Sequence, residues 1–183
     1  VELATARLRL DALREDDADA LFRYRSDPSV ALYQGWCPET REDVLDFIRA
    51  QCHASLDHPD GWFQRAIRLS GDGTLIGDMG VYVPRDREGS YEFGITLAPL
   101  HQRKGFAREA ASAVLGFLFE IRGARRVQAS IDPRNLASAA LLRSLGMREE
   151  AHFRKSLKVR GEWVDDVIFA LLASEWPPDG ARV

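Results

Sequence analysis

Residues 94–107 read GITLAPLHQRKGFA, from Gly94 to Ala107, and the reading of this stretch decides the fold. A strand-like run ends at Leu97, and Pro99, which has no N–H to donate, stops further ladder pairing. Polar and basic residues follow with a single glycine, and then an apolar period of helical spacing begins. A helix that opens directly behind a strand leaves its first amides unpaired at the positive end of its dipole. Arg103, Lys104 and Arg108 add side-chain charge around those amides, and Gly105 permits close approach of the backbone. The stretch is therefore expected to hold a phosphate-bearing ligand.

Outward from it, the chain alternates between two periods. Residues 5–10 read as a first strand, and Glu15, Asp16 and Asp17 open a helix to about Arg25 that Asp27-Pro28 breaks. Thr40, with Asp43 three residues on, caps a second helix. Residues 62–69 and 74–83 flank Ser70-Gly71-Asp72-Gly73 as a hairpin, and 91–97 form the next strand. The helix from 105 to 121 carries Ala110, Val114, Phe117, Leu118 and Ile121 at helical spacing. A strand at 127–131, a short helix from Asn135 to the C-cap candidate Gly146, and a hairpin around Arg160-Gly161 complete the pattern. The order β-α-α-β-β-β-α-β-α-β-β predicts an α/β single domain. Its central seven-stranded sheet is mixed and mostly antiparallel, and one right-handed strand–helix–strand crossover makes two of its strands parallel.

Composition removes other classes. Of 183 residues, 25 are basic and 28 acidic, and a net charge of −3 argues against a nucleic-acid scaffold. No apolar run suits a membrane span, and residues 1–13 lack the apolar core of a signal peptide. Cys37 and Cys52 stand without C-x-x-C spacing, and His53, His58, His101 and His152 form no ligand pattern, so no metal is expected and a reducing cytoplasmic compartment is. The turn also lacks the three spaced glycines of a dinucleotide fingerprint and the lysine placement of an ATP-binding P-loop.

The same residues resemble the GCN5-related N-acetyltransferase superfamily, and within it the RimJ/RimL-like ribosomal-protein N-terminal acetyltransferase branch. The family's acetyl-CoA pyrophosphate loop form Q/R-x-x-G-x-G/A is met by Gln102-Arg103-Lys104-Gly105-Phe106-Ala107. Tyr91-Glu92-Phe93-Gly94-Ile95 is similar to its E-x-G strand, and Arg108-Glu109-Ala110 carries the loop into its helix. Asn135-Leu136-Ala137-Ser138 through Leu145-Gly146-Met147 is similar to the N-x-x-S…L-G-F block, with methionine in place of phenylalanine. The resemblance implies an acetyltransferase domain over residues 1–174, with 175–183 as a flexible tail. It also implies acetyl-CoA as cofactor, with its pyrophosphate on residues 102–108 and its pantetheine arm paired with the backbone at Leu97. A monomer or homodimer acting on an amine-bearing substrate, a protein N-terminus or a small molecule, is expected, with no nucleic-acid or membrane partner. A non-catalytic CoA-binding or structural protein of the same fold is the alternative.

Individual residues admit two readings. Glu92, on the strand face shared with Gly94 and Thr96, is either a cleft-lining ion-pair partner or a general base for the acceptor ammonium. Ser138 is either a helix-turn serine or, since the helix after Asn135 has no tyrosine, the group beside the departing thiolate. Asn135 caps that helix or contacts the pantetheine arm. Tyr33, Trp36 and the rest of the loop before the second helix read as acceptor-binding, with core packing the other reading of Trp36. Of Asp165 and Asp166, which point to opposite faces, at most one enters the cleft.

Overall fold

The structure, a computed structural model, describes residues 1–86 and 88–177. In chain order its elements are β1 (Leu3–Ala4), β2 (Leu8–Asp11), α1 (Ala18–Arg25), α2 (Pro28–Ala31), α3 (Arg41–Gln51), β3 (Trp62–Leu69), β4 (Leu75–Tyr82) and β5 (Ser90–Leu97). They continue with α4 (Phe106–Gly116), β6 (Arg126–Ile131), α5 (Leu136–Ser144), β7 (Arg148–Val159) and β8 (Glu162–Leu172). One mixed sheet runs β1-β2-β3-β4-β5-β6-β8-β7, and β5–β6 is its parallel pair.

Among the described residues it has eight strands where seven were expected. The predicted first strand is two, because Thr5 folds the chain back: its hydroxyl accepts from the Leu8 amide at 3.0 Å, and its own amide donates to the Leu8 carbonyl at 2.9 Å. Pro28, expected only as a breaker, opens α2 at a position where a missing N–H is harmless, with Asp27 accepting from the Ser29 amide. Thr40 and Asp43 form the expected capping box of α3. The long helix ends in a π turn over Phe117–Ile121. The extra residue in that turn rotates the stripe, so Ile121 is 74% exposed while Leu118 stays buried. Glu175 and Trp176, expected in a frayed tail, are tied down. Glu175 pairs with Arg148, and Trp176 stacks on Phe119 and donates to Glu120 at 2.9 Å. Residues 178–183 of that tail lie outside the described residues.

Strand alternation divides the core between the two sheet faces. Phe63, Ile67, Met79, Val81, Phe93 and Leu97 meet Ala110, Val114 and Leu115 of α4 on one face. Ala66, on the other, meets Leu21 and Tyr24 of α1 and Val44 and Ile48 of α3. The second face also carries buried charge. Asp78, fully buried in β4, accepts from Tyr24 Oη at 2.6 Å and Arg25 Nε at 3.1 Å, and from a second Arg25 nitrogen and Gln64. Burial works against the Arg25 charge, but Asp78 and its hydrogen bonds more than offset it, so the guanidinium titrates above its ordinary range. Burial, reinforced by the Asp78 carboxylate, also pushes the Tyr24 phenol well up, which keeps it a donor. Arg68 joins Asp11 and Asp17 in a second such group nearby.

Removing one partner leaves the other charge buried and uncompensated. Asp78→Ala is therefore expected to lower the unfolding free energy by about 3–5 kcal/mol, with Asp78→Asn losing less because its amide oxygen still accepts; urea denaturation read by circular dichroism checks both.

Candidate active site

The parallel pair is joined over three positions only: Ser90↔Arg126, Tyr91↔Val127 and Glu92↔Gln128. Beyond them β5 continues to Leu97 and β6 to Ile131, and the two strands separate. The gap is a cleft of about 640 Å³, walled by Glu92, Phe93, Gly94 and Ile95 on one side and Ala129, Ser130 and Ile131 on the other. Tyr33 and Gln34 from the loop after α2, Asn135 and Ser138 from α5, and Arg160 at the tip of the β7–β8 hairpin close it.

The open edge of β5 has a defined polarity. The Ala98 amide donates to the Ile76 carbonyl of β4's side at 2.8 Å, and backbone groups alternate direction along a strand. The polar groups of Phe93, Ile95 and Leu97 therefore face the gap and not β4. At the far end the Gln102 side chain donates to the Leu97 carbonyl at 3.0 Å, buttressing the strand end.

Immediately after comes the turn. Arg103 has φ +59° and Gly105 φ +80°, and the two left-handed residues bend residues 102–105 back under the first turn of α4. The first amide to enter an intrahelical bond here is that of Glu109, on the Gly105 carbonyl at 3.0 Å, so the preceding helical amides point out of the helix end. Arg103, Lys104 and Arg108 are exposed around them, while Phe106 and Ala107 pack partly against the core. Gly105 is needed for its conformation, since an L side chain is strained at that φ.

Within the cleft, Glu92 accepts from Gln128 Nε2 at 3.0 Å. The Lys155 amide, with His152 at 2.9 Å, holds the Asp165 carboxyl below the usual carboxylate range, so it brings a settled negative charge to the cleft wall. Asp166 faces the other way, accepting from Ser130 Oγ at 2.6 Å, as alternation requires. It lines a second groove of about 710 Å³ that shares Glu92 and Ser130 with the cleft; five carboxylates face two arginines among its described lining residues. Ser138 lines the cleft, and its amide donates to Asn135 Oδ1 at 3.1 Å, so Asn135 is the helix cap. Tyr33 also lines the cleft, its hydroxyl donating to the Arg134 carbonyl at 3.3 Å. Trp36 does not: its ring stacks on Phe47 at 4.6 Å and sits 5.6 Å from the Arg25 guanidinium, packed against the α1–α3 core. A flat apolar ring two residues past Gln34 gains more from that face than from the open cleft.

Residues 7–148 match the acetyltransferase (GNAT) domain family. The chain belongs to that family. It is 30% identical to the uncharacterized N-acetyltransferase YnaD of Bacillus subtilis over 96% of this chain and 99% of the relative. It is 26% identical to the [ribosomal protein uS5]-alanine N-acetyltransferase of Escherichia coli, over 97% and 94%. A GNAT-family acetyltransferase structure from Bacillus anthracis superposes with a TM-score of 0.86 at 27% identity, covering 96% of this chain and all of that one. The chain is accordingly a GNAT acetyl-CoA-dependent N-acetyltransferase.

Two neighbours of the cleft and the turn, Arg160 and Arg7, escaped sequence reading, while Gln34 lies in the loop before α3 that was read as acceptor-binding. Gln34 walls the cleft and is held by Arg25 Nη1 at 3.2 Å, and Arg160 reaches the Leu32 carbonyl at 3.0 Å. Arg7 reaches the turn itself, contacting Lys104 and Glu109. Each of these links spans residues distant in the chain or carries no local spacing signal, except that of Arg25 with Gln34. Among the described residues no three potential ligands gather into a metal-holding group, and no helix is long and apolar enough to cross a membrane.

The cap geometry predicts its own outcome. Asn135→Ala is expected to lose about 1 kcal/mol of stability while Asn135→Asp retains the acceptor and most of it, as measured by urea denaturation of the three proteins.

Proposed function

We propose that this chain transfers the acetyl group of acetyl-CoA directly to a primary amine, in a ternary complex, with the pyrophosphate on residues 102–108 and the pantetheine arm along the open edge of β5. One observation carries this reading: beyond its last pairing with β6 at Glu92, the open edge of β5 leads from Phe93, in the cleft, to Leu97, beside the amide-rich turn. Five residues of strand span about 17 Å, and an arm bearing amides suits a strand edge by the logic of strand addition. The turn suits a diphosphate, because its helical amides and the two left-handed residues make a concave donor surface that the Arg103, Lys104 and Arg108 charges reinforce.

Bound acetyl-CoA supplies an activated thioester. The chain's part is to hold that thioester on the β5 amides, which also stabilise the charge growing on its carbonyl oxygen. Glu92 takes the proton from the acceptor ammonium, directly or through water, and Ser138 donates a hydrogen bond to the sulfur as it leaves. Asn135 serves the cofactor indirectly by fixing the helix turn that carries Ser138. Tyr33 contributes to the acceptor wall.

The acceptor is a cation before it reacts, and the carboxylates of the adjoining groove and of Asp165 favour its approach. The relative named for acetylating an alanine of ribosomal protein uS5 supports a protein α-amine, in keeping with the RimJ/RimL-like branch. A small polyamine fits the same charge. We assign the enzyme to the cytoplasm, as its two free cysteines suggest.

The test is release of free thiol from acetyl-CoA against a panel of peptides with free N-termini and small amines. Turnover is expected with at least one member; tight CoA binding with no turnover on any would overturn the reading. On the best acceptor, Glu92→Gln is expected to lower kcat/KM most near neutral pH. The reference pKa is about 8 for an α-amine and about 10.4 for a lysine-type amine; as pH rises through it the amine deprotonates unaided and the deficit shrinks. A deficit that stays constant across the amine's titration removes the base role.

A further inference from the structure

Arg7 stands in the turn between β1 and β2, about a hundred residues from the phosphate-type turn, yet four of its contacts fall there. Its Nη1 donates to the Lys104 carbonyl at 3.1 Å. Its Nε donates to Glu109 Oε2 at 2.6 Å, and its own amide donates to Glu109 Oε1 at 2.9 Å. Its guanidinium carbon lies 4.5 Å over the Phe106 ring, and Nη2 lies 3.3 Å from where a side chain on Gly105 would begin. The Arg7 turn is itself anchored. Thr5 Oγ1 donates to Glu109 Oε1 at 2.5 Å, and the Arg7 carbonyl accepts from the Ser70 amide at 2.9 Å.

The peptide between Lys104 and Gly105 is planar, so its C=O and N–H point in opposite directions. A carbonyl held toward Arg7 therefore turns the Gly105 amide to the opposite side of the loop. Glycine tolerates either sign of φ, so this one peptide has two orientations that cost little to exchange. In the reversed one, a carbonyl oxygen would face whatever anion the turn receives. The Arg7 charge is largely engaged by Glu109, so its effect on the turn works through geometry more than through long-range attraction.

We propose that Arg7 is a positioning residue for the cofactor: by holding the Lys104 carbonyl, it locks the Lys104–Gly105 peptide in the orientation that presents the Gly105 amide to the acetyl-CoA pyrophosphate. This rests on the reading that residues 102–108 hold the pyrophosphate. Glu109 and Phe106 keep the guanidinium in place. A lysine at position 7 retains charge but offers a point donor that cannot bridge the carbonyl and the carboxylate while lying flat on the ring.

The experiment uses the full chain, with CoA affinity measured by calorimetry and steady-state rates measured with acetyl-CoA and with acetyl-pantetheine, which has no phosphates. Arg7→Met is expected to weaken CoA binding and raise KM for acetyl-CoA by about tenfold, with kcat, the KM for the amine and kcat/KM with acetyl-pantetheine unchanged. Arg7→Lys is expected to resemble Arg7→Met, and Glu109→Gln to show a smaller loss of the same phosphate-dependent kind. Thermal melts exclude variants that fail to fold, and the Arg7 side chain is half exposed, which favours tolerance. CoA affinity unchanged in Arg7→Met, full rescue by Arg7→Lys, or an equal loss with acetyl-pantetheine overturns the proposal. Gly105→Val separates the two layers. A loss of CoA binding there but not in Arg7→Met refutes the positioning role alone, whereas no loss in either refutes the loop reading and the proposal with it.

Discussion

A parallel strand pair that stops pairing in the middle of a sheet creates a demand that the rest of this fold answers. Buried backbone N–H and C=O groups need partners, and the outer face of β5 beyond Glu92 has lost the strand that would supply them. The separation is held from both sides. β4 continues its ladder with β5 as far as Leu97, and β8 continues its ladder with β6 as far as Ile131, so neither strand is free to drift back. What results is a slot with a polar backbone wall and side chains from α5 and the hairpin above it. On the proposed reading, a ligand arm carrying its own amides meets that wall on the terms a missing strand would.

The charge groups under the other face serve the same geometry from behind. Asp78 sits on the strand next to β5, and Arg25 extends from it to Gln34 on the cleft wall. Such an ion pair adds little to stability compared with an apolar substitute of the same shape. Its use here is directional: α1, β4 and the loop after α2 are indexed to one buried carboxylate. Arg7 does the corresponding work at the other end of β5. A loop built largely of backbone donors, with two left-handed residues, has few side chains to hold it in shape, and the guanidinium supplies an external brace.

How far the sequence foretold this depends on how local each signal is. The turn at residues 102–105, the Thr40 box and the Asn135 cap are written in neighbouring residues, and local chemistry predicts them. The crossover followed from element order, and the cleft positions of Glu92 and Ser138 were legible from strand alternation and from the helix start at Asn135. The split of the first strand was missed because a single threonine hydroxyl decides it, and Ile121 because a π turn changes the helical phase without a composition signature. Of the two readings of Trp36 the contacts favour core packing, and sequence alone left them open because nothing nearby announces that Phe47 and Arg25 flank the ring. Arg7 and Arg160 act across the chain, where a periodic pattern carries no information.

That division bears on how such a site diversifies. On the proposed reading, the cofactor side of the cleft is drawn mostly from backbone, so its shape depends on φ, on register and on a brace, and many side chains are compatible with it. The wall proposed for the acceptor is drawn from three separate segments that meet over the cleft. Tyr33 hydrogen-bonds the Arg134 carbonyl, Arg160 hydrogen-bonds the Leu32 carbonyl, and Gln34 is tethered to Arg25. In the first two contacts the partner is a carbonyl, which is present whatever residue occupies that position. Side chains at 32 and 134 are thus free to vary while the wall keeps its closure, and the charge presented to the acceptor changes with them. On that proposed reading, a fixed thioester end and a replaceable acceptor wall follow from the same fact: backbone forms one side and side chains the other.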